Sequence, residues 1–385
     1  MKQPLRIVFV MPNLAGGGAE RVMVTVLRHL DRSRFEPILM TVELSGPYVA
    51  LIPEDVQVVN LQAGRVRHAW RKMVKEINRL QPAVVMSTMD YMNLAVIAGK
   101  MAFAKKPRIV IREANTPTHA IGALSSLKRV AFKALYRLLY PKADLVIVQS
   151  EGMKQDLLDF LPHLSQEKVI RIYNPLDVAS VLQKAARKEE AFLLPAGKQI
   201  VAAGRLTYQK GFDLLLAAFA QVAKAVQDAR LAILGEGPLE GELKAQARAL
   251  GIEERVSFLG FQENPYAFLA QADLFVLPSR WEGFPNILLE ALACGCQVVA
   301  ADCPSGPREI LQGNRYGLLV EPERVAALTA GMISVLCGEY KFAPGRERAL
   351  AYDAKQVVNA YEQAFEHGRV EEGAGERCER TGTWR

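Results

Sequence analysis

The chain has 385 residues, half of them apolar and 23% charged, with a formal net charge of +7. That length exceeds one ordinary domain and suits two, and the composition is that of a globular protein with ample core. No apolar run reaches the ~18 residues of a membrane span, and the best candidates, Tyr91–Gly99 and Ala291–Ala301, read as buried elements. Arg6 interrupts the first apolar run and a Gly-rich loop follows it. A first strand therefore fits better than a secretory signal, and a cytoplasmic location is expected. The five cysteines (Cys294, Cys296, Cys303, Cys337 and Cys378) are odd in number and have no histidine cluster beside them. Reduced thiols are expected, with no metal site.

In chain order, short β-branched runs predict strands at Ile7–Met11, Pro37–Val42, Val56–Asn60, Ala83–Ser87, Arg108–Arg112, Leu145–Gln149 and Val169–Tyr173. Helical patterns separate most of them, which implies βαβ units and a parallel sheet. A charged stretch, Gln183–Gly197, reads as a linker. The alternation restarts with strands at Ile200–Ala203, Leu231–Leu234, Val256–Leu259, Leu274–Pro278 and Gln297–Ala301, and a helix at Asp213–Val226. A periodic helix is expected at about Asp353–His367, followed by a polar, Gly-rich, disordered tail. Two doubly wound α/β domains in tandem result, and ligands of such sheets sit beyond the carboxyl ends of the strands. Two of them facing each other form a cleft suited to a small molecule.

Three segments carry chemistry. Leu14–Arg21 reads LAGGGAER between a strand and a helix, and its glycines, Gly16, Gly17 and Gly18, would let backbone N–H groups approach an anion. The alternative is a plain tight turn. Arg21 stands where a dinucleotide fingerprint needs glycine. Gly204–Gly211 reads GRLTYQKG in the matching place of the second domain. Arg205 and Lys210 there would hold a diphosphate and stabilise its charge as a leaving group, unless the loop is merely basic and solvated. Arg280–Gly295 reads RWEGFPNILLEALACG, with Glu282 in a loop and Glu290 a turn inside a helix that Pro285 opens from its first turn. A carboxylate among apolar neighbours needs a partner, and sugar hydroxyls or an ion pair would serve. Free N–H groups at Gly283, Phe284, Pro285 and Asn286, proline excepted, would meet a sugar or phosphate.

Together, GGGAER, GRLTYQKGFDLL, GEGP, EGFPNILLE and DCPSGPREIL resemble glycosyltransferase family 4, over nearly the whole chain to about residue 365. The resemblance implies a GT-B fold of two Rossmann-like domains and retaining transfer from a nucleotide sugar, by family weight a UDP-hexose or UDP-N-acetylhexosamine. The implied organisation is an acceptor-binding domain at 1–180, a nucleotide-sugar domain at 181–352, a helix at 353–367 packing back on the first domain, and a tail at 368–385. Implied roles are diphosphate contacts from Arg205 and Lys210, ribose contact from Glu290, sugar contact from Glu282 beside the Gly283–Asn286 backbone, and closure on the phosphates by Gly16, Gly17 and Gly18. Many members carry a histidine in a first-domain loop near the reacting sugar. Here that loop reads IREANTPTH, with Glu113 as the candidate for acceptor contact or proton acceptance, Asp90 behind it, and His119 read as an ordinary loop residue. No D-x-D occurs, so no metal and no further cofactor is expected; the nucleotide sugar is a co-substrate. A GT-B-like UDP-sugar epimerase and a non-catalytic nucleotide-sugar sensor are the alternatives.

Between Arg65 and Lys142 sixteen basic residues face only Glu76, Asp90 and Glu113. Such a field attracts phosphates. On Arg65–Leu80 an apolar stripe (Val66, Trp70, Met73, Ile77, Leu80) is ringed by Arg67, Arg71, Lys72, Lys75 and Arg79. On Leu124–Tyr140 the row Arg129, Lys133, Arg137 runs beside Phe132, Tyr136, Tyr140. These helices fit an anionic membrane surface and a polyprenyl-diphosphate-linked or other glycan acceptor, or else a solvated face over a core stripe. No nucleic-acid motif is present, so nucleic acid is not an expected partner.

Overall fold

A computed structural model describes residues 3–122, 125–187 and 196–368. The tail from 369 and residues 188–195 of the expected linker lie outside the described residues, whereas Gln183–Ala185 end the helix Val178–Ala185. The chain forms two compact units: one from Met1–Pro175 with Ala354–Arg385, the other from Leu176–Asp353.

The first unit is a seven-stranded parallel sheet: β1 (Leu5–Met11), β2 (Phe35–Thr41), β3 (Gln57–Asn60), β4 (Val84–Thr88), β5 (Arg108–Arg112), β6 (Leu145–Val148) and β7 (Val169–Arg171), in the order β3-β2-β1-β4-β5-β6-β7. The strands are apolar on both faces because helices cover both. Val8 and Val10 of β1 enter one core with Met73 and Ile77 from the helix Val66–Leu80. Ile7, Phe9 and Met11 enter the other with Val22 and Val26 from the helix Gly18–His29. The helix Ala354–His367 completes that second core. Phe365 packs edge-on to Phe9 and Phe35 (centroids 5.9 and 6.3 Å), and Arg34 pairs with Glu362 and Glu366 at 2.8 and 2.5 Å.

The second unit is a six-stranded parallel sheet: β8 (Lys198–Ala203), β9 (Ala229–Leu234), β10 (Val256–Phe258), β11 (Leu274–Leu277), β12 (Gln297–Ala301) and β13 (Leu318–Val320), ordered β10-β9-β8-β11-β12-β13. β13 has no counterpart among the expected strands. It spans three residues, too short for a periodicity to register, and pairs with β12 at Val299–Ala301. In each sheet the chain reverses its direction of growth once, between β1 and β4 and between β8 and β11. Loops leaving the carboxyl ends of such a pair diverge and frame a crevice. Among the described residues no helix is long and apolar enough to cross a membrane.

Phe365 is 1% exposed, so Phe365→Ala opens a cavity that the two facing aromatic rings cannot close. A loss of about 3–5 kcal/mol is expected in the unfolding free energy of the first unit, measured by denaturant titration.

Candidate functional site

The loop after β8 is held from below. Leu206 is fully buried, its N–H donates to Glu236 O (2.9 Å), and its carbonyl accepts from Leu239 N (3.2 Å). Gly235 and Gly237 allow this approach, since a Cβ on either would strike the backbone of Gly204 or Leu206. The GEGP turn is thus the floor of the GRL turn. Above that floor Arg205 is exposed, and its guanidinium makes no hydrogen bond or ion pair among the described residues. Gly211, at φ +65°, starts the helix Phe212–Ala225 in direct contact with Pro278 O. No side chain fits there, so the glycine lets the β8 loop lie against the end of β11.

Lys210 and Glu282 meet across that junction. Lys210 Nζ lies 2.6 Å from Glu282 Oε1, which also accepts a 2.6 Å hydrogen bond from Ser279 Oγ. The Glu282 and Lys210 side chains are 6% and 19% exposed, so this is a largely desolvated pair with the lysine the more open partner. Lys210 is therefore not a free cation like Arg205. Two more bonds keep the loops in register: backbone Arg280 N donates to Gln209 O (2.8 Å), and the Gln209 side-chain amide Nε2 donates to Trp281 O (3.0 Å).

Arg280, to which the motif alone assigned no role, locks the same junction. Its guanidinium holds Asp213 through two bonds of 2.9 and 2.6 Å, donates to Tyr208 O at 2.7 Å, and lies 3.8 Å from the Tyr208 ring centroid. Burial works to raise the Asp213 carboxyl, but the Arg280 bond and charge outweigh it and hold that carboxyl below its ordinary range. Asp213 sits in the first turn of its helix, where a carboxylate is also favoured.

The helix that carries Glu290 spans Asn286–Cys294. Pro285 is its N-terminal flanking residue, with ψ 96°, rather than part of the first turn as expected. The extended ψ leaves the Gly283–Asn286 backbone stretched across the helix entrance. A second loop braces it: Ser305 Oγ donates to Gly283 O (2.9 Å), and Glu282 N donates to Pro304 O (3.3 Å). Gly306, at φ +93°, packs where a Cβ would strike Pro285. The quoted DCPSGP run is thus a buttress, and Ser305, in a left-handed conformation itself (φ +70°), marks the strain it bears. Glu290 is 1% exposed within the helix. Nearby Cys294 is pushed up to about 12 by burial and by the Glu290 charge, and burial raises Cys296 and Cys303 too, so these thiols stay unreactive.

In the first unit Gly16 (φ +96°) and Gly17 lead into the helix Gly18–His29, and Gly17 caps it without a side chain. Arg21 reaches Tyr48 Oη through Nε at 2.9 Å, fixing the helix against the loop behind it. Glu113 does not stand at a surface. It is fully buried just past the end of β5, accepts a hydrogen bond from Tyr140 Oη, and its Oε2 has no hydrogen-bond partner among the described residues. A direct acceptor contact is closed to it in this conformation. Burial, then the neighbouring Asp90 charge, push its carboxyl well above the ordinary range. Asp90 starts the helix Asp90–Gly99 half-buried and is itself raised by desolvation. His119 lies in the short helix Pro117–Gly122. Arg112 beside Glu113 is buried, bonded to Thr88 Oγ1 (3.2 Å) and Asn174 Oδ1 (2.5 Å).

The helix Val66–Leu80 turns Ala69, Met73, Ile77 and Leu80 into the core, so it is a solvated basic face over a core stripe. The helix Ser126–Leu139 is different: Tyr136 is its only fully buried side chain.

Residues 183–356 match the family Glycosyl transferases group 1, and residues 16–180 match Glycosyltransferase Family 4. The N-acetylgalactosamine-N,N'-diacetylbacillosaminyl-diphospho-undecaprenol 4-alpha-N-acetylgalactosaminyltransferase of Campylobacter jejuni is 33% identical over 365 residues, covering 90% of this chain and 95% of that one. A second Campylobacter jejuni protein, the GalNAc-alpha-(1->4)-GalNAc-alpha-(1->3)-diNAcBac-PP-undecaprenol alpha-1,4-N-acetyl-D-galactosaminyltransferase, is 26% identical over 369 residues, covering 93% and 95%. Among solved structures, HepE of Anabaena in complex with UDP superposes with a TM-score of 0.73 at 20% identity, covering 94% of this chain and 99% of that one.

The raised Glu113 carboxyl has a consequence for stability. Its folded form holds a proton more tightly than the unfolded chain, so its contribution is full below the ordinary carboxyl value of 4.5 and is lost as pH rises toward the folded value. Glu113→Gln keeps a group that accepts from Tyr140 and cannot ionise. The variant is expected to lose less stability than the parent between acid and neutral pH, read as the difference between their denaturation midpoints across that range. Parallel profiles would refute a buried, protonated Glu113.

Proposed function

The chain belongs to glycosyltransferase family 4, and on that footing we propose that it moves a hexose or N-acetylhexosamine from a UDP-sugar to a polyprenyl-diphosphate-linked glycan, with retention at the anomeric carbon. The observation that carries the donor half is the loop junction of the second unit. Arg205, unpaired among the described residues, and a partly open Lys210 sit at the switch between β8 and β11, with Glu282 clamped beside them. Cations at that position meet the charge that grows on a departing diphosphate, a larger benefit in the transition state than in the ground state. The solved UDP complex of the same fold supports the choice of nucleotide, and the diphospho-undecaprenol names of both Campylobacter relatives support the acceptor and an N-acetylhexosamine donor. Retention rests on family kinship.

In this reading Arg205 and Lys210 bind the diphosphate, and Glu282 orients both Lys210 and the sugar hydroxyls. The Gly283–Asn286 backbone lines the sugar with Phe284 and Pro285, and Glu290 takes the ribose. Glu113 acts through Tyr140 rather than on the acceptor itself, as a positioning residue. Enzyme charge replaces a metal, so transfer is expected to continue unchanged in EDTA.

The test is UDP release from a panel of UDP-sugars, with and without a polyprenyl-diphosphate glycan. Acceptor-dependent release from one sugar is expected. Formation of an epimeric sugar without acceptor would replace transfer by epimerisation, and binding without turnover would leave a sensor. Glu282→Ala is expected to cost about a hundredfold in kcat, since it removes the partner that orients Lys210. Glu290→Gln is expected to raise the donor KM about tenfold, as befits one lost bond to a charged group. Unchanged constants in both variants would overturn the assignment.

A further inference from the structure

The helix Ser126–Leu139 presents its apolar residues to solvent. Leu127 is 84% exposed, Val130 69%, Leu138 62% and Leu135 41%, and Ala131 and Ala134 between them are exposed as well. At a helical spacing of 3.6 residues, positions 127, 130, 131, 134, 135 and 138 form one continuous stripe. Isolated exposed apolar side chains need no explanation, but a row of four large ones along one helix does.

The helix has no freedom to roll this stripe inward, because its opposite face is already taken. Tyr136 is fully buried and stacks on Tyr140 (centroids 4.2 Å, 14° between planes), and it meets Phe160 edge-on at 5.7 Å. Tyr140, just past the helix end, is fully buried and donates to Glu113. Phe132 packs on the same core. The inner row read from the sequence is therefore real, and the outer row is a second, separate apolar face.

Charge selects the occupant. The helix contains no acidic residue. Lys128 lies along one border of the stripe, and Lys133 and Arg137 lie along the other, all exposed. The neighbouring turn carries Met101, 89% exposed, with Lys105 and Lys106 following, and Lys100 ties that turn to the helix end by donating to Lys142 O at 2.9 Å. An apolar stripe edged by cations suits an interface whose interior is hydrocarbon and whose surface is anionic. A second copy of the same stripe would bring like charges together on closure.

We propose that Ser126–Leu139 is a membrane-docking helix, lying in the plane of an anionic lipid surface with Leu127, Val130, Leu135 and Leu138 below the headgroups and Lys128, Lys133 and Arg137 among them. The proposal deepens the reading of a lipid-linked acceptor and rests on it for its purpose: the helix would hold the first unit at the surface where such an acceptor lies.

The experiment is co-sedimentation of the full chain with vesicles of phosphatidylcholine alone or mixed equally with phosphatidylglycerol. Three proteins are compared: the parent, the variant L127Q/V130Q/L138Q, and the variant K128Q/K133Q/R137Q. The parent is expected to bind the mixed vesicles at least about tenfold more strongly than the neutral ones, each cation near the surface contributing roughly fivefold. The first variant is expected to lose binding to both, and the second to lose the preference for anionic lipid. Equal recovery of the parent on both vesicles, or binding by the first variant at the parent's level, overturns the proposal. So does a concentration-dependent dimer of the parent, by sedimentation velocity, that the first variant abolishes. All substituted side chains are exposed, and a melting-temperature shift with UDP, which reports on the donor reading alone, is expected to be equal in the three proteins. Loss of that shift in every protein with vesicle binding intact would count against the donor and not against the helix.

Discussion

The second unit depends on two loops being held together where the strand order reverses. Loops from β8 and β11 leave a single point of the sheet, and nothing in a parallel sheet itself joins them. Here they are joined at two levels. Gly211 against Pro278 and Gln209 against Arg280 set the backbone distance, and Lys210 with Glu282 and Ser279 fills what lies between. A buried ion pair gives little net stability, because desolvation offsets most of its attraction, yet breaking one side of it is expensive. Its effect is therefore geometric: the loops keep one spacing or forfeit the pair. Arg280, two residues before Glu282, adds a second and more exposed pair with Asp213 that again needs the loop in one place.

Much of this could be read from the residues alone. The twelve expected strands all occur within two residues of their expected places, because β-branched runs bounded by turns are local signals. The glycine motifs were legible for the same reason. The pairings were not: Lys210 and Glu282 are 72 residues apart, and no local pattern says that one cation of the loop is engaged and the other open. Ser305 and Gly306 were visible within the DCPSGP run, but their work is a contact with Gly283 and Pro285, which only the fold creates. Glu113 shows the limit from the other side. A carboxylate at a strand end reads as a surface group until the fold closes Tyr140 over it.

The two basic helices of the first unit make a similar point about periodicity. Val66–Leu80 has one apolar stripe, which is core, so its cations turn to water or to local partners, Lys72 to Leu61 O and Gln62 O and Arg79 to Glu76. Ser126–Leu139 has two apolar rows, and the sequence pattern does not say which of them is buried. Aromatic rings decided it. Tyr136, Tyr140 and Phe160 make a larger packed surface than leucines could at that site, and the two tyrosines bring polar ends next to Glu113. The leucines are left outside by that preference.

The division between Arg205 and Lys210 follows from the same logic of what is already occupied. Lys210 enters any reaction with its charge partly neutralised by Glu282, so a ligand phosphate gains from it mainly by sharing the pair, and the pair restricts where that phosphate lies. Arg205 brings a full, solvated charge with no competing partner among the described residues and a planar fork that suits two phosphate oxygens at once. Under the proposed diphosphate contact, positioning therefore falls to the lysine and attraction to the arginine. On that reading an exchange of the two side chains conserves charge and is still expected to lose function, because a guanidinium at 210 would be held by Glu282 while an ammonium at 205 would lack the bidentate grip.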